Sequence, residues 1–130
     1  MNGKLHNLLG LLDSALARLE DVLSKPQDEY MRDSAIQRFE FTFELFWKAL
    51  RAHAEISGLR APSPRDALRA AFELGLLEDD PRWFSMLDDR NLTSHTYRES
   101  TAEAIRSRLP GHLALMKRAA LELGRRTRST

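Results

Sequence analysis

From Leu5 to Leu23 the apolar residues recur in steps of three and four: Leu5, Leu8, Leu9, Leu12, Ala15, Leu16, Leu19, Val22 and Leu23. On a helix of about 3.6 residues per turn that spacing lays one apolar stripe, and it predicts a helix from about residue 4 to 24. Pro26 closes it, because proline disfavours helical backbone at the residue before it. A second stretch begins near Asp28 or Glu29 and runs to about Ser57. Ile36, Phe39, Phe43, Phe46 and Leu50 form its core line, and Gly58 is placed to cap it. Phe41, Leu45 and Trp47 fall off that line. A helix that is apolar most of the way round is buried on more than one side. The second stretch is therefore the centre of a bundle, or a contact with another subunit, or both.

Three further helix starts carry cap chemistry. Ser63-Pro64-Arg65-Asp66 sets a hydroxyl at the N-cap and proline at the first helical position. Ala67, Leu68, Ala71 and Phe72 follow, and Gly75 ends the segment. Asp80-Pro81 repeats the arrangement ahead of Trp83, Phe84, Leu87 and Asn91. Ser100-Thr101-Ala102-Glu103 has the spacing of a capping box. The last helix then uses Ile105, Leu109, Leu113, Met116, Ala120 and Leu123. Pro110 lies inside it. An interior proline costs about 3 kcal/mol in a straight helix, which predicts a bend or break near Arg108 to Gly111. No segment alternates with period two, and there are no internal repeats. The pattern predicts an all-α, up-and-down antiparallel bundle of four or five helices. It occupies residues 1–124 as one domain, and 125–130 reads as a basic, frayed, disordered tail.

Composition changes this picture little. A chain of 130 residues with 42% hydrophobic and 30% charged residues is one ordinary domain. The formal net charge of +1 gives no reason to expect non-specific nucleic-acid binding, although a local basic patch stays open. The absence of cysteine excludes disulfides and thiolate metal sites. The N-terminus lacks the apolar core of a signal peptide and no run is long enough for a bilayer. The expected compartment is the cytoplasm, without membrane association. His6, His53 and His112 show no ligand spacing with one another or with His95, so no metal site is expected.

One stretch does not read as bundle filler: Asp88-Asp89-Arg90-Asn91-Leu92-Thr93-Ser94-His95-Thr96-Tyr97-Arg98. Asn91 and His95 lie four apart and would share a face of a regular helix. Arg90 and His95, five apart, stand roughly 140° around such a helix. They converge only if the helix unwinds before His95, or if two copies of the motif face each other. Arginine offers a planar fork matched to phosphate oxygens, and histidine moves protons near neutral pH. Together they suit phosphodiester chemistry without a metal. His95 would take a proton from a ribose 2′-OH or give one to the leaving oxygen, and Arg90 would stabilise charge on the phosphorane. The blander readings are an Arg90 paired with a carboxylate on a neighbouring helix and a His95 capping a helix end. Glu40 and Glu44, four apart, are either rim charges or a polar contact beneath that pair. Arg38, Trp47 and Lys48 belong to a surface open to a dimer or partner. Asp79-Asp80 reads as a cap and Asp88-Asp89 as a solvated or arginine-pairing face.

Two stretches carry a resemblance: Arg32 to Lys48, reading RDSAIQRFEFTFELFWK, and Arg90 to Tyr97, reading RNLTSHTY. Ser63-Pro64-Arg65 and Phe72 to Leu76 also fit. The chain resembles the nucleotidyltransferase substrate-binding family, the HEPN-fold subunits that include HepT-like proteins. The resemblance implies a dimerising HEPN-like bundle. It implies a signature of arginine, a following polar residue and a histidine, matched by Arg90, Asn91 and His95. It further implies a metal-independent endoribonuclease toxin whose cognate nucleotidyltransferase adenylylates a tyrosine two residues past the histidine, here Tyr97. A second implication is a non-catalytic subunit that binds the substrate of a heteromeric nucleotidyltransferase. In both cases ATP and magnesium belong to the partner, not to this chain.

Overall fold

A computed structural model describes residues 3–128. The elements are α1 (Gly3–Ser24), α2 (Glu29–Ile56), α3 (Pro64–Glu73), α4 (Arg82–Leu92) and α5 (Glu99–Arg128), with a 3₁₀ turn, Thr93–His95, between α4 and α5. No strand occurs among the described residues. The expected all-α bundle is what forms. Arg38 donates to the carbonyl of Arg18 and Thr42 to that of Ala15, so α1 and α2 run antiparallel. Asp89 of α4 meets Arg108 and His112 of α5. No described helix is long and apolar enough to cross a membrane.

Local chemistry sets the helix ends. The Asp28 carboxylate accepts the Met31 N–H at 2.8 Å and opens α2. The Ser63 hydroxyl accepts the Asp66 N–H at 3.2 Å and opens α3, with Pro64 as its first residue. α2 and α3 both close in Schellman form. Leu59 donates back to Ala54 beyond Gly58 (φ 86°), and Leu76 donates back to Ala71 beyond Gly75 (φ 72°). A side chain with a Cβ is strained at such positive φ.

The core runs along α2. Phe39, Phe43 and Phe46 are fully buried, with Leu12 and Leu19 from α1, Leu68 from α3, Met86 from α4 and Leu109 from α5 around them. Phe46 stacks on Trp83 with ring centroids 5.3 Å apart. The wrap of apolar residues around α2 is mostly taken up inside the chain, since Trp47 is buried and Leu45 half-buried. Phe41 alone of the three is exposed.

Three expectations are corrected. Of the bend or break expected near Pro110, the break does not occur, and α5 runs through the proline as one helix. Pro110 is exposed, so the Arg106 carbonyl that loses its partner lies on the watered side, where solvent satisfies it. Ser100 is not an N-cap. The helix already starts at Glu99, the Arg98 carbonyl takes the Ala102 N–H at 3.0 Å, and Glu103 accepts from Arg32 instead of reaching back. Residues 125–128 continue α5 rather than forming a disordered tail. Arg125 and Arg126 bond Glu122, and Arg126 also donates to the carbonyls of Leu74 and Gly75, which ties the end of α5 to the end of α3. Ser129 and Thr130 of the expected tail lie outside the described residues.

Candidate functional site

α4 turns Trp83, Met86, Leu87 and Asp89 inward. Its last carbonyls would be left without partners, and the hydroxyl-rich sequence that follows satisfies them. Thr93 Oγ1 donates to the Arg90 carbonyl at 2.7 Å, Ser94 Oγ to Asn91 at 3.2 Å and Thr96 Oγ1 to Thr93 at 3.3 Å. The Arg98 N–H then closes on the His95 carbonyl at 3.2 Å. These local bonds compete with α-helical pairing, so the helix tightens into the 3₁₀ turn and stops. Asn91 and His95 therefore do not share one straight helical face.

Arg90 reaches α2. Its Nη2 donates to Glu44 Oε1 at 3.2 Å, and its Nε is buried with no partner. The other Glu44 oxygen accepts from Trp47 Nε1 at 3.3 Å and lies 3.8 Å from Lys48 Nζ. Glu40, one turn earlier on α2, lines a shallow hollow with Asp33, Gln37 and Thr96. His95 is exposed, and its ring meets the Tyr97 ring edge-on at 6.0 Å between centroids. Tyr97 is 76% exposed, and Asn91 is exposed as well. Within one chain the candidate residues form two pairs, Arg90 with Glu44 and His95 with Tyr97. The neighbouring-helix carboxylate for Arg90 is real, and it is one of the two glutamates that the spacing on α2 singles out. The His95 backbone takes part in the turn while its imidazole faces water.

Two ionic networks that spacing does not announce flank the motif. Asp89 is buried and takes both a fork from Arg108, at 2.8 and 2.7 Å, and the His112 ring Nε2 at 2.7 Å. His112 also stacks on Phe39 at 5.4 Å. Burial alone would push the Asp89 carboxyl up, but hydrogen bonds from His112 and Arg108 outweigh it and hold the group below its usual range. The reading of Asp89 as arginine-pairing holds, whereas a solvated Asp89 does not. A signal was present: Asp89 falls three residues after buried Met86, on the inward line of α4. On the far side, buried Arg32 binds Asp33, Glu99 and Glu103 and fastens the start of α5 to the start of α2. Those bonds, Glu99 first, raise the Arg32 guanidinium further above its already high value. Among the described residues no group of three or more His, Asp or Glu is arranged to hold a metal.

The chain is a small helical-bundle domain with a polar, water-facing motif at the α4–α5 junction. Residues 7–125 match the family described as nucleotidyltransferase substrate binding protein like, and the chain belongs to that family. It is similar to a Haemophilus influenzae protein named probable ribonuclease HepT, with 31% identity over 81% of this chain and 84% of the relative. A solved protein of Thermus thermophilus superposes with a TM-score of 0.81 at 45% identity, covering 86% of this chain and 98% of that one. A second solved protein, from Haemophilus influenzae, superposes with a TM-score of 0.79 at 28% identity, over 88% and 98%. That structure is described as revealing the fold of a substrate binding domain of a nucleotidyltransferase.

Proposed function

We propose that this chain is the endoribonuclease subunit of a two-component toxin–antitoxin system. It would act as a HEPN-type homodimer and be silenced by a cognate nucleotidyltransferase. The observation that carries the reading is the state of Arg90 and His95. The Arg90 guanidinium is oriented by Glu44 while its side chain still reaches solvent, and the His95 imidazole faces water a few residues on. In this reading His95 takes the proton of a ribose 2′-OH, the 2′-oxygen attacks phosphorus as the P–O5′ bond breaks, and the 5′-oxygen leaves with a proton from water. Arg90 stabilises the phosphorane, a role that typically supplies the largest catalytic contribution. Asn91 supports the phosphate contact, and Glu40 and Glu44 frame the cleft on the α2 side. The name of the Haemophilus relative supports a ribonuclease.

Control would fall on Tyr97. The partner, with its own ATP and magnesium, transfers AMP to the Tyr97 hydroxyl and releases pyrophosphate. A bulky anion beside Arg90 and His95 then occupies the cation meant for RNA phosphate. A second reading has its own support, namely the solved relative described as a nucleotidyltransferase substrate-binding domain. In that reading the chain has no catalysis of its own and presents a substrate to its partner.

Expressing the chain alone separates the two. The ribonuclease reading expects growth arrest and RNA cleavage that persist in EDTA and are abolished by Arg90→Ala or His95→Ala. A harmless chain that cleaves nothing leaves the substrate-binding reading. Sedimentation of the purified protein tests the homodimer.

A further inference from the structure

The outward polar line of α2 changes sign at Arg90. Residues 33, 37, 40, 44, 48, 51 and 55 recur at helical spacing as Asp, Gln, Glu, Glu, Lys, Arg and Glu. On one side of the Arg90–Glu44 bond lie Asp33 and Glu40, which share a hollow with Thr96 of the motif segment. On the other side the cations are joined by contacts. Lys48 lies 3.8 Å from Glu44, the Arg51 guanidinium sits 4.8 Å above the Trp47 ring, and Arg51 Nε is 3.9 Å from Glu55. Arg51 and Glu55 then share a hollow of about 260 Å³ with Arg60 and Lys4. Five cations, Arg90 included, stand against two carboxylates along this stripe, a net +3 on a chain whose formal total is +1. All five reach solvent. From Glu44 to Glu55 the stripe spans eleven residue-to-residue steps, about 16 Å of helix axis at about 1.5 Å per step.

We propose that Lys48, Arg51, Arg60 and Lys4 form a one-sided backbone track for single-stranded RNA leading away from Arg90. The proposal rests on the ribonuclease reading and adds where the substrate lies. A phosphodiester chain is held by a groove of cations that follows it, without sequence readout. The carboxylates on the Asp33–Glu40 side repel the same backbone, so the strand is held on one flank of the cleaved bond. Trp47 is buried and bonded to Glu44. It positions Arg51 and is no stacking platform, so the track reads charge rather than bases.

Salt dependence and kinetics test it together. In the His95→Ala chain, affinity for a labelled single-stranded RNA falls with salt, with a slope of about −0.7 per phosphate contact. Lys48→Gln, Arg51→Gln and Arg60→Gln combined should flatten that slope by about 2 and weaken binding at least tenfold at low salt. In the active chain the same changes should raise KM without lowering kcat. Lengthening a short RNA by a few nucleotides should lower KM on one flank only, and on neither flank in the triple variant. Thermal unfolding of each variant shows that it is folded, and Lys48→Gln with Lys4→Gln, which leave Arg51 on Trp47, repeats the test. If cleavage proceeds and both sets leave slope and KM unchanged, the track is wrong and the ribonuclease reading stands. If no form binds or cleaves RNA, the ribonuclease reading fails and takes the track with it. If the variants lose only the nucleotidyltransferase partner, the stripe is a protein-docking surface and the RNA track is overturned.

Discussion

Asp89 and Arg90 are adjacent, and each belongs to a set made of an arginine, a histidine and a carboxylate. Asp89 and His112 are buried while Arg108 closes the set from its solvent side, and every oxygen of the carboxylate is bonded. Arg90 and Glu44, with His95 beyond them, are partly exposed, with one guanidinium nitrogen buried and unmatched and an imidazole in water. The same kinds of side chain stand in opposite states, one set saturated and the other not. A saturated buried network fixes geometry and has nothing left with which to bind. An unsaturated set held in place by its neighbour is what chemistry requires.

Exchanging the two histidines' fates is the sharpest test. His95→Ala is expected to lower RNA cleavage by about 10²–10⁴-fold, the usual worth of a general acid–base group. As an exposed substitution it should move stability by no more than about 0.5 kcal/mol. His112→Ala should do the reverse. It leaves the buried Asp89 carboxylate short of a donor and opens space against Phe39, for a loss of about 2–4 kcal/mol. Turnover by the molecules still folded should be near normal. Urea unfolding beside a cleavage assay reads both, and a His95→Ala chain that unfolds early would collapse the distinction.

Removing Asp89 itself is next in size. Taking one partner from a buried ion pair costs about 3–5 kcal/mol, and because Arg108 is partly exposed the lower end, about 3 kcal/mol, is expected for Asp89→Ala. The pH dependence follows from the lowered Asp89 carboxyl. A group whose folded value is depressed adds stability above its unfolded value, near 3.9, and loses it as pH falls through the folded value. Stability should thus drop on acidification below about pH 4, and Asp89→Asn should make that limb shallower. Glu122, held down to about 2 by Arg125 and Arg126, contributes a limb of its own that the variant keeps. An unchanged acid limb in Asp89→Asn would show the carboxylate is not ionised in the fold.

The bundle was legible because its elements are announced locally. The Leu5–Leu23 stripe, the start near Asp28 or Glu29, the Ser63 cap and the glycines at 58 and 75 each act within a few residues, and all appear where the sequence places them. What was not legible depends on contacts distant in the chain. Ser100 loses its cap role because Arg32, far upstream, draws Glu99 and Glu103 to itself. Pro110 leaves α5 whole because it happens to face water. Spacing alone did not show whether Asp89 or Arg90 would be the buried one, although the position of Asp89 after Met86 pointed inward. The motif Arg90, His95 and Tyr97 was visible as a sequence, but its division into an Arg90–Glu44 pair and a His95–Tyr97 pair depends on where α4 ends.

Glu44 gives a smaller effect that bears on the same comparison. If it orients Arg90 without building the fold, Glu44→Ala should cost no more than about 1 kcal/mol, as for a partly exposed ion pair. It should lower kcat about tenfold while KM holds or improves, because a carboxylate near RNA phosphate is gone. Glu44→Gln keeps an acceptor for Trp47 Nε1 and should recover part of kcat. A KM that rises as kcat holds would make Glu44 part of the binding surface instead.

Tyr97 should show the least change of all in the isolated chain. It is 76% exposed and its ring meets that of His95 edge-on, so Tyr97→Phe removes a hydroxyl from an exposed side chain. Stability should stay within about 0.5 kcal/mol, and cleavage should be unaltered, since the phenol is not assigned a proton in the reaction. The difference should surface only with the nucleotidyltransferase and ATP present. The parent chain then gains one AMP by mass and loses cleavage, whereas Tyr97→Phe gains nothing and stays active. A Tyr97→Phe chain still modified and silenced would move control to another hydroxyl of the segment, such as the exposed Ser94. A small intrinsic effect with a large conditional one is what an unsaturated, exposed site predicts. No residue of the Asp89 network is open to control of this kind.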